Sequence, residues 1–231
     1  MIDNFNIIEE KLLNFTKGDY YKFEAIIRNK DGENRLATNP NSTSIKFWLI
    51  DSKESYDKLK PIMKEFCNIT KARLYITLDK KSIKKTFVNT LKTLTETIGD
   101  IIYGSEYSVN KLNKIIASET SKKENTANNT DNKTRTWLLD IDSREDYIEK
   151  GVKKFCDNNY ICTLNTPNGY HIVSKKNFGK DRFKDCLETF LLQNWANKYL
   201  ETKSILNLVN EALRVTEIKE NALGLVYIGE R

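Results

Sequence analysis

The sequence predicts an α+β fold: a split βαβ core over residues 136–231, preceded by an N-terminal α/β unit over residues 1–116. Three observations point there. Apolar stretches of period two are interleaved with stretches of helical spacing. A polar, Asn/Thr/Lys-rich run over 117–135 has no apolar periodicity and separates two such series, as a flexible loop or linker would. The second series reads strand, helix, strand, turn, strand, helix, strand, the order of a ferredoxin-like or RRM-like unit.

In the first series, "YYKFEAIIRN" alternates and is aromatic, a strand pattern. "KDGENRLATNPNST" carries Asp-Gly and Asn-Pro, which are turn chemistry, and "SIKFWLID" is the second arm of a long-looped hairpin. "SKESYDKLKPIMKEFCNI" opens on a Ser cap and continues with helical spacing past Pro61. "ARLYITLD" is a third strand. In "KKSIKKTFVNTLKTLTETIGD", Phe87, Leu91, Leu94 and Ile98 recur at three-to-four spacing, which predicts a long amphipathic helix.

In the second series, "TWLLDID" is a strand and "SREDYIEKGVKKFCDNN" a helix with a Ser cap. "YICTLNT", "PNG" and "YHIVSKKNF" make strand, turn and strand. "DRFKDCLETFLLQNWANKYLE" and "SILNLVNEAL" are helical, and "RVTEI" and "LGLVYIGER" close the chain as short strands.

Composition excludes several classes. With 39% hydrophobic and 30% charged residues in 231, the chain describes a globular protein with a core, not a disordered one. No apolar run approaches the ~20 residues of a membrane span. The start, "MIDNFNIIEEKLLNF", is acidic and polar, so no signal peptide is expected and the cytoplasm is the expected location. A net charge of +6 is compatible with a polyanionic partner. The 4 cysteines form no C-x-x-C pair and there is 1 histidine, so ordinary reduced thiols are expected rather than a zinc site.

The chemistry concentrates in "TRTWLLDIDSRED". On an extended strand Asp140 and Asp142 share a face. Asp142 is also placed to cap the following helix, directly before Ser143. A cap does not explain Asp140, a carboxylate in an apolar strand that wants a cation. Two carboxylates on one face offer hard oxygen ligands to Mg²⁺ or Mn²⁺. His171 follows a tight turn in "NTPNGYHIV", with Gly169 allowing close approach and Lys175 and Lys176 adding charge beyond it. A histidine beside lysines suits a triphosphate; a core histidine without special role is the alternative.

These residues resemble the archaeo-eukaryotic primase superfamily. "WLLDID" is similar to its first motif, an apolar strand ending in Asp-x-Asp. "TPNGYHIV" is similar to its second, a small-residue turn followed by a strand with one His, although Tyr170 departs from the commoner Ser-x-His form. Glu217 in "RVTEIKENALGLVYI" best matches the third, a single acid on a later strand, where Asp is commoner. The chain looks particularly like small primase-like proteins of bacteriophages, and the likeness covers most of it. The resemblance implies a primase-like catalytic core with the N-terminal unit packed beside it, in the cytoplasm of a host cell if the chain is phage-encoded. Asp140, Asp142 and Glu217 would be catalytic and hold Mg²⁺ or Mn²⁺. His171 would bind the nucleotide, with Lys175 and Arg73 as further candidates. Nucleoside triphosphates, single-stranded DNA or RNA and other replication proteins would be the partners.

For a nucleic-acid strand, Lys176 and the pairs in "DKKSIKKTF" are the candidates. Lys80 with Lys84, and Lys81 with Lys85, sit at four-residue spacing near a helix start, where like charges oppose each other and the helix dipole. A solvated helix face is the plain alternative. The activity expected is template-directed nucleotidyl transfer. A catalytically degenerate primase-like binder and a two-metal nuclease or phosphoesterase are the rivals.

Overall fold

The computed structural model describes residues 1–32, 36, 38–39, 41–103, 109–127, 136–142, 144, 146–175, 217–220 and 223–229. Its architecture is mixed α+β, with helices packed on antiparallel sheets. The chain divides into two compact units. The first holds Asn14–Thr130 and Tyr227–Arg231 with Met1; the second holds Ile2–Leu13 and Asp131–Val226. Each unit takes a short piece from the other end of the chain, which a division into 1–116 and 136–231 does not contain.

In the first unit, β2 (Asp19–Arg28) and β3 (Ser42–Ile50) form the long-looped hairpin, and β4 (Arg73–Thr77) lies antiparallel on the other side of β2. One face is apolar: Phe23 stands between Trp48 and Ile76, with Ala25 opposite Leu74. Helix α2 (Lys53–Thr70) covers it with buried Tyr56, Met63 and Cys67, and Phe23 and Tyr56 meet at 5.8 Å between ring centroids. The helix starts where Ser52 accepts from the Ser55 amide, as the Ser cap predicts. It continues through Pro61 and stops at Lys71 in the left-handed region, φ 56°.

The other face is polar and buried. The Lys22 ammonium lies 3.0 Å from Glu24 and donates to Ser121 Oγ at 2.6 Å. Helices α3 (Ile83–Tyr103) and α4 (Val109–Glu119) follow the two-residue strand β5 (Lys81–Ser82), which pairs with β2. Over 117–127 this differs from the flexible loop or linker expected for 117–135. Ala117–Glu119 end α4, and Glu119, Thr120 and Asn125 are buried. Asn125 donates to the Glu119 carbonyl and carboxylate, and the Ser121 hydroxyl accepts from the buried Lys22 ammonium; residues 128–135 lie outside the described ones.

In the second unit, β6 (Trp137–Ile141), β7 (Tyr160–Asn165), β8 (Tyr170–Ser174) and β9 (Glu217–Glu220) form one sheet in the order β7-β8-β6-β9, every neighbour antiparallel. Helix α5 (Asp146–Cys156) buries Val152 and Cys156, one turn apart. It begins later than a cap at Ser143 requires, and Ser143 lies outside the described residues. Leu138, Leu139, Ile172 and Val173 are all buried, so both faces of the central strands are covered. At the chain's start, β1 (Ile2–Asp3) pairs with β10 (Leu223–Ile228), and α1 (Phe5–Lys11) buries Phe5 and Ile8. The helices expected over 181–213 lie outside the described residues.

Candidate active site

The register of the second sheet places Asp140 opposite His171 on β8 and opposite Glu217 on β9. Residues directly opposite in an antiparallel ladder have Cα atoms about 4.5–5.5 Å apart. The apolar run Trp137-Leu138-Leu139 anchors β6 in the centre of the sheet, so the next residue, Asp140, emerges between two neighbours. Its side chain is 32% exposed, and Oδ1 lies 3.3 Å from His171 Nε2. The carboxylate in an apolar strand therefore has a partner in the protein itself. His171 is 12% exposed, and its other nitrogen, Nδ1, accepts from the Leu225 amide at 3.4 Å.

Asp142 follows the last residue of β6 and is exposed. The loop around it is tied to the β7–β8 turn: Arg144 donates to the Pro167 carbonyl, and the Tyr170 hydroxyl donates to the Arg144 carbonyl at 3.4 Å. The turn closes through Thr166, whose amide donates to the Gly169 carbonyl (2.9 Å) and whose hydroxyl accepts from the Gly169 amide (3.1 Å). Gly169 thus sits buried in a tight turn, two residues before the histidine.

No protein-family model, curated protein or solved structure matches this chain. The candidate site stands on its own chemistry.

The described carboxylates at this end of β6 are Asp140, 32% exposed, and Asp142, exposed just past the strand. Among the described side chains no group of three His, Cys, Asp or Glu could hold an ion; only the backbone of Glu217 is described. Lys175, just beyond β8, is exposed, while Lys176 lies outside the described residues.

Three other candidates are placed differently from expectation. Arg73 is buried in the first unit and bound bidentately to Asp31: Nε donates to Oδ2 at 2.7 Å and Nη2 to Oδ1. Lys81 is not on a helix face. It belongs to β5, is 1% exposed, and donates to the Lys122 carbonyl and Thr126 Oγ1, both at 3.1 Å. Burial pushes its ammonium below the usual lysine range. Lys85 does lie on α3, but its ammonium donates to the Thr126 carbonyl at 2.9 Å. The reason is the starting point of α3: because Ile83 opens the helix, Lys80 and Lys81 cannot share its face with Lys84 and Lys85.

The sequence reading missed Asn4, Arg144 and the Leu225 amide. Arg144 had a signal, two residues past Asp142. Asn4 had none: its contacts lie 161 and 221 residues away along the chain.

Of the 4 cysteines, Cys186 lies outside the described residues. Cys67, Cys156 and Cys162 are free and buried, and burial pushes each thiol up to about 12.

Proposed function

We propose that the second unit is a metal-dependent nucleotidyltransferase of the primase type, making or extending oligonucleotides on a single-stranded template. One observation carries the reading: the register with His171 and Glu217 on either side of Asp140. Cross-strand partners are the positions whose side chains interact on one face of a sheet. The order β9-β6-β8-β7, antiparallel throughout, supports the finer reading as an RRM-like unit, because a split βαβ motif inserts its third strand between its first and second.

In this reading Asp140, Asp142 and Glu217 hold Mg²⁺ or Mn²⁺, which when bound neutralises triphosphate charge and activates the attacking hydroxyl. The protein's own groups position the reactants. Asp140 and Asp142 fix the carboxylate side of the site. His171 meets a phosphate oxygen of the nucleotide, and Lys175, exposed just beyond the end of β8, is the further candidate for phosphate charge. Nucleoside triphosphates and single-stranded DNA or RNA are the proposed ligands, and other replication proteins the proposed partners. Arg73 and Lys81 drop out of the ligand-binding set, since both are buried and bonded within the first unit. No helix among the described residues is long and apolar enough to cross a membrane.

The test is incubation with single-stranded DNA, labelled nucleotides and Mg²⁺ or Mn²⁺. New oligonucleotides that vanish in Asp140→Ala and Glu217→Ala support the proposal. Binding of nucleotide or strand without product would make this a primase-like fold that only binds. A shortened template would make it a phosphoesterase using the same acids.

A further inference from the structure

Asn4 occupies the N-cap position of α1, yet its side chain makes no cap; the Phe5 amide is met by Asp3 Oδ1 instead, at 3.0 Å. The Asn4 amide group is wholly buried and bonded on both sides. Its Nδ2 donates to the Asn165 carbonyl (3.0 Å) and to the Leu225 carbonyl (2.9 Å), while Oδ1 accepts from the Asn165 amide (3.0 Å). The Asn4 backbone amide donates to the Val226 carbonyl at 2.8 Å. One residue from the chain's start therefore clamps the end of β7 to the middle of β10.

The clamp bears on His171. In an extended strand the amide and carbonyl of one residue point to the same side. Holding the Leu225 carbonyl therefore also aims the Leu225 amide, and that amide meets His171 Nδ1. An amide only donates, so Nδ1 must be the unprotonated nitrogen. A neutral imidazole that accepts at Nδ1 carries its proton on Nε2, which lies 3.3 Å from Asp140 Oδ1.

We infer that Asn4 is a positioning residue that holds His171 in the Nε2–H form, acting through the backbone of Leu225. The consequence for catalysis rests on the primase-type reading above: a phosphate oxygen only accepts, so a ring presenting Nε2–H toward the Asp140 side is ready to meet one without first relocating its proton. The relay itself does not depend on that reading.

The chain has 1 histidine, so its imidazole signals are unambiguous by NMR. With ¹⁵N-labelled full-length protein at about pH 9, above the range in which imidazoles titrate, the wild type should show an unprotonated Nδ1, a protonated Nε2 and a coupling across the hydrogen bond from the Leu225 amide. Asn4→Asp keeps the acceptor for the Asn165 amide but loses the donor to Leu225. In that variant, and in Asn4→Ala, the coupling should disappear and Nδ1–H become populated. A wild-type ring protonated on Nδ1 would overturn the inference, as would a folded Asn4→Asp with the wild-type coupling intact. If neither variant folds, a wild-type spectrum without that coupling still overturns the inference. Should the protein incorporate nucleotides, Asn4→Asp should lower kcat by about 10–100-fold, the usual effect of removing a partner behind a site residue, with the KM for nucleotide little changed. A relay seen by NMR in a protein that makes no product would leave the relay standing and remove only the primase-type reading.

Discussion

At the scale of single residues, the sharpest contrast is between two charged pairs. Arg73 is buried, its Asp31 partner is only 12% exposed, and the two share two hydrogen bonds, so removing Asp31 or Arg73 leaves a largely desolvated charge behind. Arg73→Ala should cost about 3–5 kcal/mol of stability, read from urea unfolding, and added nucleotide should not restore it. Asp140 is a third exposed and its partner His171 is nearer the interior, so the same operation has a different result there. Asp140→Asn should change stability by no more than about 1 kcal/mol while abolishing incorporation. Loss of the fold would assign Asp140 a structural role. The buried thiols give a pH dependence. Cys67, Cys156 and Cys162 are held at about 12 against an ordinary 9.0, so the folded state keeps protons that the unfolded chain releases first. Their contribution to stability is complete below pH 9.0 and is lost as pH rises through about 12. Alkylation mapped by mass spectrometry should find these three thiols inert in native protein and reactive in urea.

Among the elements, α3 and the segment after α4 reverse what their compositions suggest. The apolar stripe of α3 reads as a core face, yet Phe87 is 64% exposed and Leu91 48% exposed. Phe87→Lys should therefore shift stability by under about 0.5 kcal/mol, as surface changes usually do. A loss of several kcal/mol on urea unfolding would show that the stripe is covered in solution. The polar segment after α4, by contrast, is packed through Glu119, which is bonded to Thr93 Oγ1 (2.8 Å), Lys122 Nζ (2.6 Å) and Asn125 Nδ2 (3.2 Å). Burial alone would raise its pKa, but the bonds from Lys122, Thr93 and Asn125 outweigh that and hold it below the usual carboxylate value. Folding then gains from the ionised form above pH 4.5 and loses that gain as pH falls below it. Between pH 7 and about 3.5, Glu119→Gln should lose less stability than the wild type, measured by unfolding at each pH.

For the whole molecule, the exchange of chain ends governs which pieces can stand alone. A fragment cut at residue 116 would lose buried Glu119, Thr120 and Asn125, and a second fragment starting at 136 would lack α1 and Asn4. Neither half should fold cooperatively by circular dichroism, whereas the two halves co-expressed should recover the transition. The net charge of +6 supplies the other whole-chain prediction. If the protein binds a single strand, affinity should fall steeply between about 50 and 300 mM salt, as lysines and arginines release phosphate counterions. Flat affinity over that range would leave nucleotides as the only ligands. Reversing Lys81 should unfold the first unit rather than selectively weaken strand binding, because its ammonium is buried.

The sequence by itself determined the local structure. Period-two runs became β2, β3, β4, β6, β7 and β8, and the Ser52 cap opened α2, because these signals depend on neighbours a few residues apart. It also singled out Asp140, His171 and Glu217, each on a short strand. Only the tertiary structure decided that these three share one row, since register depends on strand pairing across the sheet. Only it decided that Lys81 and Glu119 are buried, because composition reads charge as exposure and cannot see a partner arriving from elsewhere in the chain. Asn4 is the extreme case. Nothing near it in sequence marks it, and its role arises from hydrogen bonds to residues 161 and 221 positions away, which exist only after the chain's first and last strands have met.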